Sequence, residues 1–480
     1  MKLLVIGGGI AGLAAAHRAV ELAAERGQPL ELMLLEASAR LGGTIRSERF
    51  GEFLVEDGPD SFLTEKPWAV DLCRRIGAAD QLIRTDDRHR RTFVAWRGRL
   101  HPLPEGFQLL APTRLGPLLA SRLFSWPGKL RMGLDLVLPR GGDPDETLGA
   151  FVRRRLGREA LERVAQPLVA GIYTADPDSL SLAATMPRFQ ELERRERSVV
   201  LAMWRAARRA GPRAADGASG ARWSLFATLA DGMEDLVRRL AGRLPARAVR
   251  LGERVIEVAR VEAGWRAITA SGASVIADAV VIAVESHQAQ RMLRAADPSL
   301  AHLLGDIAYA SSAIVTLGYR RADVAHPLDG FGFVVPHAER RPLIACTFSS
   351  VKFPGRAPEG HVLLRVFMGG ALQAEALEVD DDDLQATARA ELAALLGARG
   401  EPAFIRVVRH PRAMPQYQVG HLARVEAIEL GLRRHPGLAL AGAGYRGVGI
   451  PDCIRSGEVA VERLLEDPVI PGARAPAAAP

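Results

Sequence analysis

The chain opens on a short apolar run, Leu3 to Ile6, which stops at Gly7-Gly8-Gly9 and resumes as the Ala- and Leu-rich stretch AGLAAAHRAVELAAE. An apolar run, a glycine turn and an alanine-rich stretch in that order spell strand, tight turn and helix. A second apolar run, LELMLL, spans Leu30 to Leu35 and ends at Glu36. Within this unit Gly7-x-Gly9-x-x-Gly12 falls at the turn, the one context in which the pattern has physical content. There the glycines allow a tight turn and a close approach of backbone to a pyrophosphate, and the helix start supplies oriented N–H groups. Glu36 is placed to accept hydrogen bonds from a ribose diol. The unit predicts a doubly wound α/β sheet that binds a dinucleotide.

A chain of 480 residues, 48% hydrophobic and 25% charged, has the apolar mass for about two or three folding units. Lys+Arg 63 against Asp+Glu 56 leaves a net charge of +7. Most of it falls between Ala150 and Arg222, where fourteen Arg stand against eight Asp or Glu. Such a stretch suits an anionic surface or an acidic substrate. It carries no zinc-finger spacing, RNA-binding signature or aromatic-interleaved basic stripe, so no nucleic-acid partner is expected. Cys73, Cys346 and Cys453 stand far apart with no CxxC pair, which points to no metal site and fits a reducing, cytoplasmic compartment. The opening run carries glycines where a signal peptide is uniformly apolar, and no apolar stretch reaches about 18 residues, so neither a signal peptide nor a membrane-spanning helix is expected.

After Pro104 the pattern turns helical through LLAPTRLGPLLASRLFSWPGKLRMGLDLVLP and DPDETLGAFVRRRLG, the latter with Asp143 as N-cap, Pro144 in the first turn and Gly157 as the stop. Helical character continues through RFQELERRERSVVLAMWRAARRAG, and AADGASGA reads as an exposed loop. From Ala248 the chain alternates like a β-meander followed by a buried strand. Further strands are expected at Ala313 to Tyr319, Phe331 to Val335, Leu343 to Phe348, Val362 to Met368 and Ile405 to Val408, and a helix at LQATARAELAALLG. Asp380 to Asp383 precede that helix, where acids complement its dipole.

NAD and FAD share the glycine turn, so other segments must decide. Directly after Glu36, ASARLGGTIRS presents small residues against which an extended diphosphate and ribityl chain can run. The carboxyl-terminal LALAGAGYRGVGIPDCIRSGEVAVERLL reads as strand, glycine-rich turn and a helix starting near Ile450. Its positive dipole end suits the negative charge of a reduced flavin.

Together GGGIAGL, EASARLGGTIRS, VEDGPDSFLTEKP, QPLVAGIYTADPDSLSLAATMPRF and AGAGYRGVGIPDCIRSGE resemble, in order and over nearly the whole chain, the protoporphyrinogen oxidase and coproporphyrinogen III oxidase family of haem biosynthesis. The resemblance implies an α/β plus α+β architecture. Residues 1–65, 222–285 and 436–466 would form a Rossmann-like FAD-binding domain. Residues 66–104 and 286–435 would form a substrate domain with an antiparallel sheet, 105–221 a helical membrane-associated insert, and 467–480 a disordered tail. It implies non-covalent FAD touched by Gly7, Gly9, Gly12, Glu36, Arg40, Gly42, Gly43, Gly58, Pro59, Val255, Ala443, Val448, Gly449 and Ile450.

The resemblance places Gly171 so that its carbonyl approaches the macrocycle opposite the flavin, and Val334, Thr347 and Phe367 around the pyrrole rings. Thr347 is smaller and more polar than the leucine of plant relatives. Lys66 falls where a bacterial subgroup has a basic residue able to meet a propionate. Relatives outside that subgroup carry an Arg just after Gly-Pro, where this chain has Asp60, so propionate binding is arranged differently here. The implied reaction is a six-electron porphyrinogen oxidation with dioxygen as acceptor. An anionic membrane face and the next pathway enzyme, ferrochelatase, are the implied partners. No side chain stands out as catalytic, and His287 reads as structural. Two other readings stay open: an amine oxidase or carotenoid desaturase of the same flavin superfamily, and a porphyrin carrier without turnover.

Overall fold

The computed structural model describes residues 1–108, 110–209 and 226–466. The loop expected at 214–221 and the tail expected at 467–480 lie outside the described residues. A five-stranded parallel sheet is assembled from widely separated segments, in the order Val249–Arg250, Glu31–Leu35, Lys2–Ile6, Ala279–Ile282, Leu438–Leu440. Its strands are largely apolar because both faces are covered, one by the helix Ile10–Glu25 and the other by the antiparallel strands Val255–Val261, Gly264–Thr269 and Ser274–Ala277 together with Met292 and Leu293. Leu4, Val5, Leu34 and Val281 are fully buried. The first strand has neighbours on both sides, which puts the turn after Ile6 at the crevice where doubly wound sheets bind ligands. The helix Ile10–Glu25 leaves that turn and packs on the helix Ile450–Glu466, where a side chain at Gly457 would strike the Ala11 carbonyl.

A second sheet runs Phe404–Pro415, Tyr309–Arg320, His361–Gly369, Leu343–Phe348, Gly332–Val334, Thr92–Trp96, Arg99–Pro102. It is not the purely antiparallel sheet expected, because Gly332–Val334 pairs parallel with Thr92–Trp96. A strand arriving from a distant part of the chain is freed from the hairpin connection that forces antiparallel neighbours. On one face Phe333, Cys346 and Val366 meet Leu384, Ala388 and Leu392 of the helix Asp381–Leu396. The Asp380 carboxylate caps that helix by accepting the Asp383 N–H at 2.9 Å. The expected strand at Ile405 to Val408 runs on to Pro415 despite Arg406, Arg409 and His410, since it pairs along its length with Tyr309–Arg320.

The helical insert departs from expectation in its boundaries. The stretch after Pro104 breaks into the helices Leu115–Ala120 and Trp126–Gly133, the second started by the Ser125 hydroxyl accepting the Gly128 N–H at 3.1 Å. The helix expected from Asp143 starts at Leu148, capped by Thr147, while the Asp143 carboxylate turns the chain by accepting the Asp145 N–H at 3.0 Å. The next helical stretch splits into Pro187–Glu196 and Val199–Arg209 around a left-handed Arg197. The break is anchored by Asp135, whose carboxylate accepts the Ser198 hydroxyl at 2.6 Å and the Val200 N–H at 2.9 Å.

Part of the arginine of this region is spent inside the insert. Arg155 is fully buried and donates to Asp135 at 2.5 Å and to the carbonyls of Pro139 and Arg197 at 2.8 and 2.7 Å. Arg154 pairs with Glu146 and Glu193, Arg153 with Asp178 and Arg163 with Glu159. These four are answered by local acids and carbonyls, while Arg158, Arg188, Arg194, Arg195, Arg208 and Arg209 stay exposed, so the region keeps a cationic surface.

Candidate functional site

Each glycine of the first turn has its own steric task. Gly7 turns the chain with φ +105°, and its N–H donates to the Leu35 carbonyl at 2.8 Å. A Cβ on Gly12 would lie 1.9 Å from the Gly7 carbonyl, so the helix can approach the strand only without a side chain there. At Gly9, by contrast, an added Cβ meets nothing within 4 Å. The start of the helix is thus an open cradle lined by backbone, which fits a pyrophosphate.

The Glu36 carboxylate is held at the strand end by the N–H groups of Gly8 and Ser38, at 2.6 and 2.7 Å, with lone pairs left for a diol. The Gly42 N–H donates to the Gly8 carbonyl at 2.8 Å, and Gly43 abuts the Gly9 Cα, which brings the two glycine segments together. The Arg40 guanidinium bends onto the carbonyls of Leu41, Gly43 and Ile45 at 3.0, 2.5 and 2.9 Å, so it shapes the loop. Val255 is buried with Ile6 and Leu35 at the ends of the two strands.

The carboxyl-terminal segment closes the site from the other side. The Tyr417 hydroxyl donates to the Ala443 carbonyl at 2.6 Å and accepts the Gly447 N–H at 2.8 Å, fixing the turn that leads through Val448 and Gly449 into the helix at Ile450. Burial and the Asp452 charge push the Cys453 thiol up to about 12, which leaves it un-ionised at neutral pH. Lys66 donates to both oxygens of Asp452, at 2.6 and 2.7 Å. Its ammonium is therefore already paired.

The residues expected around a substrate converge on the other face of the second sheet. Val334 pairs with Ala345 and Ala345 with Phe367, while Gly332 pairs with Thr347 and Thr347 with Arg365. Residues two apart in a strand share a face, so Val334, Thr347 and Phe367 form one wall with Arg365 beside them. The helix Gln166–Tyr173 lies over it, with Val334 Cγ1 only 3.8 Å from a Cβ added to Gly171. Thr174 takes a left-handed conformation and gives its N–H to the Ala170 carbonyl at 2.9 Å. Among the described residues this leaves the Gly171 carbonyl without a donor. Val448 of the carboxyl-terminal turn packs against the same apolar cluster as Val334, Ala345 and Phe367.

Lys352 and Arg365 escaped the sequence reading. Both converge on Asp60, Lys352 at 2.9 Å and Arg365 at 3.3 Å, and Arg365 also donates to the Gly58 carbonyl at 2.5 Å. Burial opposes ionisation of Asp60, but the two cations outweigh it and hold the carboxyl well below the usual carboxylate range. The available signal was strand alternation, which puts Arg365 on the face of Phe367. His287 is buried edge-on to Tyr309, and burial together with Arg412 and Arg291 pushes its imidazole down to about 4, so it is neutral at physiological pH.

The sequence matches the family described as flavin containing amine oxidoreductase over residues 10–465. It is 34% identical over 466 residues to the coproporphyrinogen III oxidase of Bacillus subtilis (strain 168), covering 96% of this chain and 97% of that one. It is 32% identical to the protoporphyrinogen oxidase of Bos taurus, covering 96% of this chain and 98% of the relative. A solved structure from Exiguobacterium sp. 255-15, 31% identical, superposes with a TM-score of 0.85 over 97% of this chain and 99% of the other.

Proposed function

The chain belongs to the flavin containing amine oxidoreductase family, and from that premise we propose that it is an FAD-dependent porphyrinogen oxidase, converting coproporphyrinogen III, protoporphyrinogen IX or both to the porphyrin in haem biosynthesis. Near-full-length similarity to enzymes named for both substrates supports the reading. The single structural observation that carries it is the apolar wall of Val334, Ala345 and Phe367, which shares a cluster with Val448 of the cofactor-binding turn. A flat macrocycle seated on that wall would lie against the side of the turn at Val448 that would hold the cofactor.

The proposed cofactor is FAD held non-covalently, since the cradle at Gly9, the pinned Glu36 and the un-ionised Cys453 describe a binding site without an attachment point. When bound, the flavin supplies a two-electron acceptor, used three times for the six hydrogens that separate porphyrinogen from porphyrin. The chain's own residues bind and orient. Val334 and Phe367 cover the ring, and the free Gly171 carbonyl accepts from a pyrrole N–H. The start of the helix at Ile450 favours negative charge on the adjoining cofactor. With the His287 imidazole pushed down to about 4 and so too weak a base to hold a proton at neutral pH, the pyrrole proton passes to water and positioning does the catalytic work. Dioxygen is the proposed terminal acceptor, and the test is porphyrin fluorescence appearing with one dioxygen consumed for each pair of hydrogens removed.

Choice between the two porphyrinogens turns on carboxylates, four in one and two in the other. Lys66 masks Asp452, and Asp452 lies close enough to Tyr173 to help burial push that phenol up to about 12. Lys66→Ala removes a charge-assisted contact worth about 1.5–3 kcal/mol and exposes an acid to the substrate. KM for coproporphyrinogen III is expected to rise by about tenfold or more, exceeding the rise for protoporphyrinogen IX, with Asp452→Asn in the same background reversing the excess. Equal rises for both substrates would remove Lys66 from the discrimination.

Among the described residues no helix is long and apolar enough to cross a membrane. The insert nonetheless exposes Leu115, Leu119, Trp126, Leu130, Leu134, Leu136 and Val137 within one short stretch, Leu130 at 72% and Val137 at 67%. Lys129 sits 4.6 Å over the Trp126 ring and Arg122 lies alongside in sequence. An apolar patch edged by cations suits peripheral binding to an anionic bilayer, with ferrochelatase a proposed neighbour there. The protein should sediment with vesicles containing anionic lipid, and Trp126→Glu with Leu130→Glu should leave it in the supernatant. Sedimentation unaffected by those substitutions would assign the patch elsewhere.

A further inference from the structure

The segment Glu56-Asp57-Gly58-Pro59-Asp60 lies where the first sheet's loops meet the second sheet, and cations of the second sheet and its connections answer each of its acids. Arg356 reaches Glu56 at 3.8 Å, Arg406 reaches Asp57 at 3.0 Å, and Lys352 and Arg365 reach Asp60. His410 adds a contact to the Asp57 carbonyl at 2.8 Å. Gly58 cannot carry a side chain, because a Cβ there would lie 1.9 Å from the Thr44 carbonyl. The sheet therefore holds this loop by its backbone and by Asp60. Arg365 takes both, and its guanidinium also lies 5.3 Å from the Phe367 ring. It is 2% exposed, and its Nε has no partner among the described residues. One planar group thus touches the loop proposed to seat the cofactor and the ring proposed to cover the substrate.

We propose that Arg365 is a positioning residue that sets the Phe367 wall relative to the Gly58–Asp60 loop, with Asp60 as its counter-charge. The inference rests on the porphyrinogen reading for the substrate side and on the loop's own contacts for the cofactor side. Buried ion pairs contribute little net stability but impose geometry, and a guanidinium that spreads its nitrogens over Asp60 and the Gly58 carbonyl while facing the Phe367 ring is not replaced by lysine.

The test uses the full chain with Arg365→Met and Arg365→Lys, and with Asp60→Asn as a second route should Arg365→Met fail to fold. Three quantities are measured: the FAD dissociation constant by flavin fluorescence quenching, the anaerobic rate of flavin reduction per bound flavin by porphyrinogen, and Tm. Arg365→Met is expected to weaken FAD about tenfold and slow reduction per bound flavin about 100-fold, the scale of a 1 Å misplacement. Arg365→Lys, which keeps the charge facing Asp60, is expected to recover FAD binding to within about threefold while reduction stays at least about tenfold slow. Asp60→Asn shifts both quantities in the same direction as Arg365→Met. A lowered Tm with FAD affinity and reduction per bound flavin both unchanged would overturn the proposal, leaving Arg365 merely structural. Failure of the parent protein to be reduced by either porphyrinogen would instead strike the substrate reading, while the FAD dissociation constants would still decide whether Arg365 seats the loop.

Discussion

Gly9→Val is expected to yield a folded but colourless protein. Gly9 has φ −70° and ψ 176°, an extended conformation that a β-branched residue adopts freely, and its Cβ would meet nothing within 4 Å. The fold therefore tolerates the side chain. The cofactor does not, because an isopropyl group fills the space where a pyrophosphate must meet the N–H groups of the helix start. Gly12→Val separates the two roles of the motif. Its Cβ would sit 1.9 Å from the Gly7 carbonyl, forcing the helix off the central strand at a cost of more than about 4 kcal/mol. Visible absorbance relative to protein absorbance, with thermal melting followed by circular dichroism, distinguishes them. Gly9→Val should melt within a few degrees of the parent with flavin lost, and Gly12→Val should lose fold and flavin together. A yellow Gly9→Val protein would remove the cradle from the cofactor site.

The second large effect lies far from that cradle. Asp135→Ala leaves the fully buried Arg155 guanidinium with only Glu193, 3.3 Å away and shared with Arg154, as counter-ion, and strips the Ser198 hydroxyl and the Val200 N–H of their acceptor. Breaking a buried pair by removing one partner costs about 3–5 kcal/mol. The loss should appear as cooperative melting or proteolysis of the insert at reduced denaturant, while the flavin absorbance of the remaining folded protein keeps its shape. Asp135→Asn, which can still accept from Ser198 or Val200, should lose less. Wild-type resistance in Asp135→Ala would mean that Glu193 and the carbonyls around Arg155 suffice to hold it.

The glycine turn was legible because each of its glycines answers a steric demand visible in the spacing alone: a turn at Gly7, an open approach at Gly9, and helix-strand contact at Gly12. The strands Ala279–Ile282 and Leu438–Leu440 were legible as apolar runs, since burial on both faces leaves no polar alternation to confuse them. Helix ends in the insert were not. Two are set by the N-caps Ser125 and Thr147, local signals that compete with Asp143 and with the surrounding helical pattern, and one by the pull of Asp135 on Ser198, 63 positions away, which nothing local marks. Arg155 was hidden for a related reason: its charge reads as surface, yet it is buried because carbonyls of two other segments and the carboxylates of Asp135 and Glu193 satisfy it. The Asp60 cluster was half legible. Asp60 stood out as a departure from the resembling family, but its partner Lys352 lies 292 positions away, and only the pairing of two sheets brings them together.

The most direct measurement is an anaerobic titration of the purified, flavin-loaded protein with coproporphyrinogen III and, separately, protoporphyrinogen IX, followed at the flavin's visible absorbance. Bleaching of the bound flavin in step with porphyrin appearance, one porphyrin for every three flavins reduced, is the expected result with at least one of the two. Flavin absorbance left unchanged by both porphyrinogens, in a protein that still binds the porphyrin, would refute turnover and make the molecule a carrier.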